Sequence, residues 1–182
     1  MQFVTIASEG NAVDAGDLTE QSSGGNPFGS PTRGLLAGFA SPMNGNIDFF
    51  QFSSTGNAQD FGNSTASRAG APSAVSNGTR GIFAGGEAPS LTNLIDYVTI
   101  AQTGNAVDFG DLSVIHSDGA RAQSPTRGII AGGRNPASSP SDYTNVIEYI
   151  TMATTGNGQD FGDMTAARNE PSSDSNSTRG II

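Results

Sequence analysis

The chain has 182 residues, 25 of them glycine, eight arginines and no lysine, cysteine or tryptophan, and it carries a formal charge of −9. That composition excludes disulfides, thiolate zinc sites and cysteine nucleophiles, and the acidic balance argues against nucleic acid or an anionic membrane surface as partner. No apolar run nears the roughly 20 residues of a membrane span, and Met1-Gln2-Phe3-Val4 offers neither the basic nor the apolar region of a secretory leader, so a soluble chain without membrane insertion is expected.

Self-comparison organises everything else. Gly-Asn recurs at Gly10-Asn11, Gly56-Asn57, Gly104-Asn105 and Gly156-Asn157, at spacings of 46, 48 and 52 residues, and each pair is followed by Asp14, Asp60, Asp108 or Asp160. A second series, Thr-Arg-Gly, begins at Thr32, Thr79, Thr126 and Thr178 and opens a short apolar run each time. Four copies of one unit at a period of about 50 residues predict a repeat architecture built as a single domain.

In chain order, Gln2 to Ile6 aligns with Glu148 to Met152 and is the third strand of a unit, followed by the Gly10-Asn11 turn. Complete units follow at about 20–65, 66–112 and 113–165, and 166–182 with 1–19 supply the fourth. The unit at 66–112 shows the pattern most clearly. Small residues from Ala69 to Ser76 form a first strand, and Asn77-Gly78, the strongest short hairpin signal, turns the chain. Thr79 to Ala84 gives a second strand that ends in Gly85-Gly86. Ile95 to Ile100 is a third strand with apolar residues on both faces, as in a sheet buried on both sides. After Thr103-Gly104-Asn105, Ala106 to Leu112 is the fourth. No window shows the 3.6-residue period of a helix.

Arg68, the small-residue strand, Asn77-Gly78, Ile82-Phe83-Ala84-Gly85-Gly86 and Ile95-Asp96-Tyr97 together resemble a blade of the kelch family, with Phe61, Phe109 and Phe161 standing where that family has tryptophan. The resemblance implies an all-β fold: a four-bladed β-propeller of four-stranded antiparallel blades. Its ring would be closed by a composite blade with two strands from each end of the chain; two chains sharing a larger ring is the alternative. The wording Thr-Gly-Asn-Ala-x-Asp-Phe-Gly-Asp-Leu is similar to repeats in structural proteins of marine bacteriophages.

Four groups of residues are candidates for chemistry. The repeated arginines are expected to pair with carboxylates on the following strand, Arg80 with Asp96 and Arg127 with Glu148, as bidentate structural contacts. The Asp-Phe-Gly-Asp turns at Asp108 and Asp160 are read as Phe packing between blades and Asp capping its own turn, in preference to calcium ligation or a kinase-like metal site. His116, the only histidine, lies in the variable stretch Ser113 to Ser124 and offers no general base with partners. Strand alternation places the Asn-Gly and Gly-Asn turns on one face of the disc. The opposite face collects the variable loops Ala40 to Asn46, Glu87 to Asn93, Ser113 to Ser124 and Arg134 to Asn145. Arg134, Asn135, Asp142 and Tyr143, with His116 near by, are the expected contacts to a partner or ligand. The expectation is a non-enzymatic virion structural, decoration or host-attachment protein of tail-fibre type, without metal or cofactor, forming homo-oligomers or binding other virion proteins. A lectin-like or protein-binding propeller outside a virion, with a surface glycan among its candidate ligands, is the alternative.

Overall fold

The structure, a computed structural model, describes residues 1–21, 25–38, 43–68, 72–87, 90–138 and 141–182. Those residues form strands and turns with no helix. Three four-stranded antiparallel meanders make up most of the molecule. The first comprises β3 (Asn26–Gly29), β4 (Arg33–Ala37), β5 (Asn46–Gln51) and β6 (Gln59–Asn63). The second comprises β7 (Ser73–Ser76), β8 (Arg80–Ala84), β9 (Leu94–Thr99) and β10 (Val107–Asp111), and the third β11 (Ala120–Gln123), β12 (Arg127–Ala131), β13 (Val146–Thr151) and β14 (Gln159–Asp163). Each falls inside one of the expected repeat units. Two shorter hairpins flank them: β1 (Gln2–Phe3) with β2 (Val13–Asp14), and β15 (Asp174–Ser175) with β16 (Gly180–Ile181). The strand complement is therefore that of four blades.

Local chemistry explains the turns. Asn77 accepts from the backbone N–H groups of Thr79 and Arg80, Ser30 and Ser124 do the same for Arg33 and Arg127, and Asn176 for Arg179. A side-chain oxygen two or three residues upstream thus fixes each first hairpin. On the fourth strand, Asp60, Asp108 and Asp160 each accept from the N–H of the glycine two residues on, beside a register shift in the ladder. The bulge needs glycine: Gly62 and Gly110 have φ of +144° and +145°.

The core lies between the sheets. One cluster joins the first and second meanders through Phe28, Leu35, Ile47, Phe49, Phe61, Phe83, Val98 and Ile100, with Phe28 stacked on Phe83. A second joins the second and third meanders through Val75, Ile82, Ile95, Phe109, Leu112, Ile130, Ile150 and Met152. Residues on both faces of a third strand are buried because a sheet lies on each side.

The expected composite blade is present as its two halves, and they are not joined. β1–β2 packs on the first meander, where Gly56 N–H donates to Ala15 O and Ala58 N–H to Asp17 O. β15 packs on β11, where Arg121 N–H donates to Ser173 Oγ and Gln123 N–H to Ser175 Oγ. Among the described residues β1 pairs only with β2 and β16 only with β15, so ring closure within the chain, expected from the sequence, is not made.

Candidate functional site

The repeated charged groups hold the blades together. Asp96, fully buried on β9, accepts from Thr65 N–H and Oγ1 and from Arg68 Nη2, while Arg68 Nη1 also donates to Leu94 O. Asp48 accepts in the same way from Thr19, and Glu148 from Ser113 N–H. Each carboxylate thus anchors the segment that leaves the preceding blade. Burial pulls the Arg68 guanidinium below its ordinary value, and Asp96 opposes that shift.

The expected pairs Arg80–Asp96 and Arg127–Glu148 do not form. Arg80 pairs in register with Thr99, and Arg127 with Thr151, which places each arginine on the face of Tyr97 or Tyr149; Asp96 and Glu148 point from the other face of the same strand. Arg80 lies over the Tyr97 ring at 4.7 Å and Nη1 donates to Met152 O of the next blade; Arg33 does the same with Phe49 and Ile100 O. Arg127 lies over Tyr149 at 4.4 Å.

Sequence reasoning missed Arg68 as the partner of Asp96, although the signal was there. When the copies are set on the residue that anchors to the carboxylate, Thr65-x-x-Arg68 aligns with Ser113-x-x-His116 and Thr165-x-x-Arg168. His116 therefore stands where its neighbouring copies have arginine, and the backbone agrees: Gly86 N–H donates to His116 O and Gly133 N–H to Arg168 O. The residue is 2% exposed, its ring against Gly85 and Gly119, and among the described residues neither nitrogen has a hydrogen-bond partner. Desolvation lowers its pKa to about 4, an effect the Gly132 backbone only partly opposes. His116 is thus a neutral core residue, and its place among the expected contacts is corrected.

The variable-loop face carries the remaining candidates. Arg134 bridges to Ser117 on one side and to Tyr143 on the other, so the segments around Ser117, Arg134 and Tyr143 form one small platform. Asn135 is buried, its N–H donates to Asp142 O and its Oδ1 accepts from Ala137 N–H. It shapes the platform and is not a contact. Arg134, Asp142 and Tyr143 are exposed on it, with Tyr143 39% exposed. Residues 139–140 of this loop, and 39–42, 69–71 and 88–89 of the other expected loops and strands, lie outside the described residues.

A groove of about 760 Å³ runs along the innermost strands β3, β7, β11 and β15. Arg121 crosses it to donate to Asn26 Oδ1, and burial lowers the Arg121 pKa. Phe50 and Phe52 form one wall. The same positions in the next two blades, Val98 with Ile100 and Ile150 with Met152, are covered by a preceding blade. That wall is a blade face without its neighbour.

No protein family model matches the chain, and no curated protein matches it. Among solved structures it is similar to that of YjhT, at 14% identity and a TM-score of 0.63, over 82% of this chain and 58% of YjhT. The fold is a β-propeller. At that identity the likeness speaks to the fold alone, and the chain spans 58% of the propeller it matches.

Proposed function

We propose that this propeller is a non-catalytic component of a bacteriophage particle, a structural, decoration or host-attachment protein that engages its partner through the variable-loop face. One observation carries the reading. The charged residues that recur in the copies are taken up in contacts within and between blades, whereas the unrepeated Arg134, Asp142 and Tyr143 stand exposed together on a platform braced by backbone bridges. Exposed aromatic and arginine side chains on a rigid scaffold are the residue types that dominate binding energy. The assignment to a phage particle is supported by the wording of the repeat.

Mass spectrometry of purified particles, with antibody labelling in the electron microscope, tests this reading. Stoichiometric recovery and label at a constant position on the particle are expected. Absence from particles, together with binding of the isolated chain on a glycan array, would replace this reading with a free lectin-like propeller.

A further inference from the structure

Two of the segments that leave a blade carry an arginine at one position of the repeat, Arg68 and Arg168, and a third carries His116. At the junction of the first and second meanders the arginine is fully engaged: Arg68 Nη1 donates to Gly85 O and Leu94 O, and Nη2 to Asp96. His116 fills the corresponding slot at the junction of the second and third. Its backbone is tied to the second meander, with His116 N–H donating to Thr92 O and Gly86 N–H to His116 O.

The slot suits only the neutral ring. A methyl group on Gly85 would stand 2.9 Å from Cδ2 and Nε2, and one on Gly119 2.8 Å from Nδ1, so the imidazole is clamped between two stretches of backbone. A proton added there would be a buried charge without water or counterion, which is costly. The charged groups on the surrounding elements are committed elsewhere or open to solvent. Arg68 is held by Asp96, Glu148 accepts from Ser113 N–H and Asp118 from Ser117 Oγ, while Glu87 is half-buried and Arg134 exposed. The Gly132 backbone alone favours the ionised ring, and burial outweighs it.

What the ring holds down is the variable-loop platform. The next residue, Ser117, exchanges both backbone hydrogen bonds with Arg134, Ser117 N–H donating to Arg134 O and Arg134 N–H to Ser117 O, and Arg134 bridges on to Tyr143. We propose that His116 is an acid-operated latch on this platform: the neutral imidazole seats the segment around Ser117 between the blades, and protonation draws the ring out to water and breaks the Ser117–Arg134 pairing. The proton acts as a ligand of the open form, so it shifts the population toward opening. Arg68 cannot respond in this way, because a guanidinium keeps its charge over the whole range in which an imidazole titrates. A released ring has the ordinary pKa of 6.5 and the seated one about 4, so opening rises about 100-fold from pH 7 to pH 4. That a bound partner is let go on opening rests on the proposed function; the latch itself does not.

Native-state hydrogen exchange on the full chain tests the latch without any ligand. After correction for intrinsic exchange, protection of the Ser117 and Arg134 amides is expected to fall about 100-fold between pH 7 and pH 4, and to stay level in His116→Gln. His116→Leu is a second neutral variant with the same expectation, should the glutamine not be accommodated. Unchanged protection in the unaltered chain, or an equal fall in a folded neutral variant, overturns the latch. A fall of the same size at Gly104 N–H, which donates to Phe61 O at the first junction, would mark global unfolding and overturn it as well. Co-sedimentation with phage particles at pH 4 separates the latch from the proposed function: amides that open while binding persists uphold the latch and remove the platform as the contact face.

Discussion

Arg68 and Asp96 form an ion pair in which both side chains are 1% exposed, linking the segment that leaves the first blade to the third strand of the second. Removing one member of a buried pair leaves the other charge without compensation. Arg68→Ala is therefore expected to cost about 3–5 kcal/mol in urea denaturation. A loss below about 1 kcal/mol, the range of exposed pairs, would show that the pair is not buried in solution.

The repeated arginines of the second strand are expected to differ from one another. Arg80 combines stacking on Tyr97 with a hydrogen bond to Met152 O, whereas among the described residues Arg127 has only the ring of Tyr149. Arg80→Ala is expected to cost about 2 kcal/mol and Arg127→Ala less than about 1 kcal/mol in the unassembled chain. Equal melting shifts for the two variants would contradict this ordering.

His116 makes stability depend on pH with a definite sign. Its folded pKa, about 4, lies below the ordinary 6.5, so the unfolded chain takes up the proton first. Its contribution is complete above pH 6.5 and is lost as pH falls from there toward 4. The full loss is roughly 3 kcal/mol by proton linkage. Denaturation midpoints of the chain and of a His116→Gln variant should converge over that window. Parallel curves for the two would place the imidazole in contact with water.

The strand order and the turns were legible in the sequence because each rests on local chemistry: Asn-Gly, Gly-Asn and Thr-Arg-Gly act within a few residues of themselves. The partners of Arg80 and Arg127 were misjudged because proximity along the strand was weighed without the two-residue alternation that sends Arg80 toward Tyr97 and away from Asp96. From the sequence His116 reads as a loop residue, because its equivalence to Arg68 emerges only when the copies are aligned on Thr65, Ser113 and Thr165. The gap between β16 and β1 depends on the rotation from blade to blade. That rotation comes from the summed packing of Phe28 on Phe83 and its counterparts, which no local motif encodes.

The bulge glycines provide a further check on the blade contacts. A methyl group on Gly62 would stand 2.4 Å from Gly104 O, and one on Gly110 2.6 Å from Gly156 O, whereas nothing lies within 4 Å at Gly162. All three have positive φ, so each alanine brings conformational strain of about 1 kcal/mol. Gly62→Ala and Gly110→Ala add a backbone clash and are expected to be markedly less stable than Gly162→Ala. Similar melting temperatures for the three would contradict the blade spacing.

In the proposed function, the repeated residues hold the propeller and the unrepeated ones bind. An Arg134→Ala, Tyr143→Ala double variant tests that division most directly, with thermal unfolding and co-sedimentation with purified phage particles measured side by side. An unfolding midpoint equal to that of the unaltered chain and loss of the particle-bound fraction are expected. Full retention on particles by a folded double variant would contradict it.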